Sequence, residues 1–166
     1  MTNPGTAKAT LQITTPSERE IAMTRVFDAP RRLVFDALTK PALVKKWLLG
    51  PPGWTMPVCE IDLRVGGQYR YVWRRESNGK EMGMGGLYRE IVSQERLVCT
   101  ELFDEAWYAG ESLITTTLVE QGGRTTMTST MLYVSQEVRD GVLKSGMESG
   151  VAASYDRLAE LLASLA

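Results

Sequence analysis

The spacing of apolar residues changes several times along the chain, and each change marks a different kind of element. Glu20–Phe27 (EIAMTRVF) reads as a strand, and Ala9–Thr14 as a strand piece ahead of the break at Pro16-Ser17. Asp28-Ala29-Pro30 then opens a helix, with Asp28 as the expected cap and the proline suited to a first turn. Leu33, Val34, Ala37 and Leu38 give that helix an apolar face of period 3.6. A second short helix after Pro41 puts Leu43, Val44 and Trp47 on one side, and Gly50-Pro51-Pro52-Gly53 ends it.

From Trp54 to Tyr133 the period falls to two. Val58–Leu63, Gln68–Arg74, Met84–Val92, Leu97–Phe103, Ser112–Glu120 and Thr125–Tyr133 read as strands, with Trp107–Gly110 in a loop. Gly66-Gly67, Asn78-Gly79 and Gly122-Gly123 mark tight turns, and connections this short predict antiparallel hairpins rather than parallel crossovers. Ser135 then caps a final segment. There Leu143, Met147, Val151, Tyr155, Leu158 and Leu162 form one helical stripe. Glycines 141, 146 and 150 interrupt it, which points to a kink, a close backbone contact or space left empty.

The order predicts an α+β chain: a strand, two short helices, about six more strands and one long helix. A single amphipathic helix must cover the sheet, and a twisted sheet of six to seven strands curling round it is the economical solution. One domain over 1–166 is expected, with a frayed end at 1–8.

Composition narrows the chemistry. The chain has no histidine, which removes Ser-His and Cys-His pairs, histidine metal ligands and the commonest general base near neutral pH. No metal and no cofactor are expected, and no catalytic residue is assigned. Acids (20) and bases (19) nearly balance and the basic residues come only in doublets, so no nucleic-acid partner is expected. No apolar run is long enough for a bilayer and the N-terminus is polar, so no membrane partner is expected and a cytoplasmic location is. Cys59 and Cys99, both in strand-like runs, read as reduced core residues.

Six stretches in order carry a resemblance. RVFDAP (25–30), VFDALTKPALVKKW (34–47), EIDLRVGG (60–67), GGLYREIVSQERLV (85–98), GGRTTMTST (122–130) and SGMESGVAASYDRLAELL (145–162) are similar to the START-related, birch-pollen-allergen-like superfamily. Within it, the chain resembles the homologue family of the heat-shock protein 90 ATPase activator. The resemblance implies a helix-grip fold, in which the curved sheet holds the long C-terminal helix. Many relatives carry a second Trp after the first near 47, and some a Trp near 151. Here those places hold Leu48 and Val151.

Tyr69, Tyr71 and Trp73 share one face of their strand. As strand aromatics they read equally as core packing and as a cavity wall, and the resemblance favours the wall. Trp47, Met84, Glu101, Ser129, Met131, Met147 and Tyr155 are candidates for the same wall, with Met82 and Met127 beside them. Glu101, if it points inward, would be a carboxyl of raised pKa able to act as acid or base. Asp62 and Arg64 read either as a salt-bridged corner or as a ligand anchor through Arg64.

Three functions compete. The first is a binding module for an apolar or aromatic small molecule. The second is cyclase or dehydratase-type chemistry on a polyketide-like substrate, as in some members of the superfamily. The third is a chaperone-interacting stress protein, as the family name implies. A homodimer is left open.

Overall fold

A computed structural model describes residues 10–166, so the frayed end expected at 1–8 lies outside the described residues. The elements run β1 (Gln12–Thr14), β2 (Glu20–Phe27), α1 (Arg31–Thr39), α2 (Pro41–Trp47), β3 (Trp54–Ile61), β4 (Gln68–Arg75), β5 (Glu81–Val92), β6 (Arg96–Phe103), β7 (Ser112–Gln121), β8 (Arg124–Leu132), α3 (Gln136–Lys144) and α4 (Met147–Leu165). The strands form one sheet in the order β1-β2-β8-β7-β6-β5-β4-β3, antiparallel throughout. This is the predicted α+β arrangement with one strand more than the six to seven expected. The extra one is β1, whose three residues pair with Ala22–Thr24 at the sheet edge.

The hairpins follow their glycines. Gly122 and Gly123 both take positive φ (60° and 77°) directly between the paired residues Gln121 and Arg124. A two-residue turn of this kind matches the strand twist, and residues without a Cβ reach it without strain. At the β3–β4 corner the Arg64 guanidinium donates to Asp62 Oδ2 at 2.8 Å, both side chains exposed. The pair is a salt-bridged corner.

Two helix expectations are corrected. Asp28 does not cap α1. Pro30 holds the cap position in an extended conformation, and its carbonyl accepts from the Leu33 and Val34 amides. A capping oxygen has to sit on the residue that ends the extended chain, and Asp28 lies two residues too early. Nor is the C-terminal stripe one helix. Ser135 caps α3, accepting from the Val138 amide at 3.1 Å, but the chain breaks at Gly146, which takes the left-handed conformation (φ 79°) before α4 begins. Leu143 belongs to the first piece and is 37% exposed. Gly150 sits against Pro51, where an added Cβ would come within 3.3 Å of the ring, whereas Gly141 faces open space.

α4 lies over the sheet through buried Tyr155, Leu158 and Leu162, packed with Phe27, Val34, Val44 and Trp47. Arg25 ties it to β2. This side chain is only 5% exposed, its Nη1 donates to Asp156 Oδ1 at 3.0 Å, and it stands 5.1 Å from the Phe27 ring. α2 packs on both α4 and β3, and the Trp47 indole N–H donates to the Ala37 carbonyl at 2.8 Å, locking α2 to α1. The two short helices therefore hold α4 over the sheet.

Candidate functional site

Packing is incomplete between α4 and the sheet. A cavity of about 540 Å³ remains there, within the size range of small-molecule sites. Strand alternation decides what lines it. β4 contributes Tyr69, Tyr71 and Trp73; β5 contributes Met82, Met84 and Tyr88; β6 contributes Leu97, Cys99, Glu101 and Phe103. Ile114 and Thr116 come from β7, and Met127, Ser129 and Met131 from β8. α4 adds Met147, Gly150, Val151, Ser154 and Tyr155, and α2 adds Trp47. The structure thus brings all ten sequence-selected residues (Trp47, Tyr69, Tyr71, Trp73, Met84, Glu101, Ser129, Met131, Met147 and Tyr155) to one wall. Leu48 and Val151 line it too.

Most polar handles of this wall are already engaged. The Trp73 indole N–H donates to the Leu48 carbonyl at 2.7 Å, the Tyr69 hydroxyl to the Thr100 carbonyl at 2.5 Å, and the Thr116 and Ser129 hydroxyls meet at 3.0 Å. With their heteroatoms turned to the protein, these side chains present ring and methyl surface inward. The rings order one another, Tyr69 to Tyr71 at 5.1 Å and Tyr71 to Trp73 edge-on at 5.9 Å.

Glu101 is the exception. It sits opposite Ser112 in the β6–β7 register and points inward with Cys99 and Phe103. It lines the cavity and keeps some accessibility while lying deep in the protein. Burial pushes its carboxyl from 4.5 up to about 7, and a hydrogen bond from the Tyr108 hydroxyl, 3.4 Å from Oε1, partly opposes this. Tyr108 itself is pushed up to about 12, by burial and then by the Glu101 charge, and its hydroxyl also lies 3.3 Å from Ser112 Oγ. Cys99 is pushed up to about 12 and Cys59 to about 11, both mainly by burial, so at neutral pH both are thiols and poor nucleophiles. Both are free and half-buried, and both pack against the main core as expected, Cys99 also bordering the cavity.

Sequence reasoning missed part of the wall. Cys99 and Phe103 alternate with Glu101, so the strand period contained them. Trp107 and Tyr108 had no such signal, because they come from the β6–β7 loop. Trp107, 48% exposed, and Met82, 38% exposed, form the rim. A second, open depression at the β3–β4 corner is bounded by Glu60, Asp62, Arg64 and Gln68 and has no aromatic wall. Arg64 belongs there and not to the cavity. Among the described residues no three Cys, Asp or Glu side chains group as a metal site, and no helix is long and apolar enough to cross a membrane.

A curved antiparallel sheet closing on a C-terminal helix, with two short helices between its second and third strands, is the helix-grip arrangement of the START-related superfamily. Residues 28–163 match the family described as Activator of Hsp90 ATPase homolog 1-like protein, and the chain belongs to that family. It is similar to a protein of known crystal structure from Rhodobacter sphaeroides, with 32% identity and a TM-score of 0.87 over 93% of this chain and 98% of that one. A Chromobacterium violaceum protein is 28% identical, with a TM-score of 0.76 over 88% of this chain and 98% of that one. A Mycobacterium smegmatis protein shares the fold at 22% identity, with a TM-score of 0.81 over 93% and 97%. No curated protein matches the chain.

Proposed function

We propose that the protein is a binding module that holds an apolar or aromatic small molecule between α4 and the sheet. One observation carries this reading: a single cavity of about 540 Å³ is walled by aromatic and methionine side chains whose polar atoms are largely engaged by the protein itself. Such a wall offers apolar contact with little polar desolvation cost, and the methionines adapt to irregular shapes. Ligand contact is assigned to the ten residues named above. Membership of the family carries no chaperone contact to this chain by itself, since function resides in sites and not in folds.

The test is a thermal-shift and tryptophan-fluorescence screen of a chemically diverse apolar and aromatic library, with native mass spectrometry of protein purified from its own host. A ligand at a hundredfold excess over its Kd stabilises by about 2.7 kcal/mol. A screen without a single shift, together with ligand-free protein by mass, would remove the container reading.

Glu101 favours one second reading. A carboxyl pushed up to about 7 and within reach of the Tyr108 hydroxyl has the properties of a general acid or base, and cyclase or dehydratase-type chemistry on a polyketide-like substrate would use it so. Turnover that disappears in Glu101→Gln while ligand affinity persists would establish it.

A further inference from the structure

Among the described residues Glu101 is the only lysine, arginine, aspartate or glutamate on the cavity wall. Every other lining side chain is apolar, aromatic, a hydroxyl or a thiol. Among the described residues no cation faces it across the space, and α4 turns only Met147, Val151, Ser154 and Tyr155 inward here. The charges that engage Arg25 and Arg70 lie elsewhere, on Asp156 and Asp104. An ionised carboxylate in this apolar enclosure carries a desolvation cost that protonation removes at lower pH, that the Tyr108 hydroxyl offsets in part, and that an incoming cation would offset further.

The rings around it point the same way. Phe103 stands edge-on to Trp107 at 6.1 Å and to Tyr108 at 6.0 Å, and Tyr108 stands edge-on to Tyr133 at 5.5 Å. All four line the cavity at the end where Glu101 projects. Aromatic faces carry partial negative charge and attract a desolvated cation. An anionic ligand would meet repulsion from both features, and a neutral ligand would bring no opposite charge to the ionised carboxylate.

We infer that the cavity takes a ligand with an apolar or aromatic body and a cationic nitrogen, the nitrogen pairing with Glu101 inside the ring cluster of Phe103, Trp107, Tyr108 and Tyr133. This rests on the container reading above and gives it a ligand class. The body lies along the tyrosine and methionine wall, and the charged end stops at Glu101. Ionisation of Glu101 then sets affinity. The titratable groups near it are Tyr69 and Tyr71 from β4, Cys99 from β6, Tyr108 from the loop and Tyr133 after β8. All are raised, so none changes charge between pH 6 and 8.

Two probes of one shape test this by calorimetry: 2-(2-naphthyl)ethyltrimethylammonium and its neutral carbon isostere, 2-(3,3-dimethylbutyl)naphthalene. Glu101→Gln, which keeps the side-chain shape, is expected to weaken the cation at least tenfold and leave the isostere unchanged or tighter. Cation affinity for the unaltered protein is expected to rise about tenfold from pH 6 to 8, following ionisation of a carboxyl near 7, and to stay flat in the variant. Binding of both probes with equal sensitivity to Glu101→Gln, or with none, overturns the cationic assignment and leaves the container standing. Binding of neither probe, combined with a silent ligand screen, removes both. Matching circular dichroism of the two proteins excludes misfolding as the cause, and Tyr108→Phe provides an independent second variant, expected to lower cation affinity less than Glu101→Gln does.

Discussion

The Tyr69 hydroxyl on β4 donates to the Thr100 carbonyl on β6, 2.5 Å away, across the strand that separates them. Gly86 of β5 makes this reach possible. It is the register partner of Tyr69, and a Cβ there would run into the Thr100 carbonyl oxygen. Glycine in a strand interior is weak by itself, but here it lets one ring bridge three strands and hold the wall of the cavity.

The first prediction follows directly. Gly86→Ala forces backbone apart and is expected to cost about 1–3 kcal/mol. Tyr69→Phe removes the donor from a buried carbonyl and is expected to cost about 1–3 kcal/mol. Both act on the same oxygen, so urea melts of the double variant are expected to show less than the sum. Strict additivity would show that the two residues are not linked.

Two glycines of the C-terminal segment are expected to respond in opposite directions. Gly141 lies inside α3 with open space at its Cβ position, so Gly141→Ala is expected to stabilise by up to about 1 kcal/mol. Gly146 sits at φ 79°, so Gly146→Ala is expected to destabilise by about 1–2 kcal/mol although nothing crowds it. Thermal melts of the pair check the sign, and a shared sign would contradict the break between α3 and α4.

Trp73 is half-buried, borders the cavity and donates its indole N–H to Leu48. A fully packed Trp truncated to Ala costs about 3–5 kcal/mol. Trp73 has fewer contacts to lose, so Trp73→Ala is expected to cost about 2 kcal/mol, keep a cooperative melt and weaken an aromatic ligand about tenfold. A larger loss with unchanged affinity would make Trp73 ordinary core.

Glu101 makes stability depend on pH. Its carboxyl rises from 4.5 to about 7 on folding, so between these values the folded chain keeps a proton that the unfolded chain has released. The stabilisation is complete below pH 4.5 and is lost as pH rises through 7, by at most about 3 kcal/mol. Melting temperature of the unaltered protein is expected to fall from pH 5 to 8 relative to Glu101→Gln, which lacks the titration. Parallel profiles for the two proteins would place the Glu101 carboxyl in water.

Much of the fold was legible because strand and helix periods are local. Alternation put Tyr69, Tyr71 and Trp73 on one face, the glycine pairs placed the turns, and the order of elements left one helix to cover one sheet. Motif order then led to the family. The strand piece read at 9–14 is β1, but with only three paired residues at the sheet edge it falls outside the total of six to seven. The glycines at 141, 146 and 150 announced a kink, a close contact or open space, but the apolar stripe runs on past all three, so the sequence did not say that Gly146 would be the one to end the helix.

Which face of each strand is concave, and how much space remains behind it, are decided elsewhere. β6 carries apolar residues on both faces, with Val98 and Leu102 alternating against Cys99 and Phe103, so periodicity by itself does not turn Glu101 inward. Trp107 and Tyr108 reach the cavity from a loop that has no period at all. The volume of the cavity is a difference between the curvature of eight paired strands and the side chains that α4 and α2 press against them. The chain by itself determined the elements, their order and the aromatic stripe. Tertiary structure decided that the stripe faces open space and that Glu101 projects into it, because an unfilled volume depends on surfaces far apart in the chain and no local pattern encodes it.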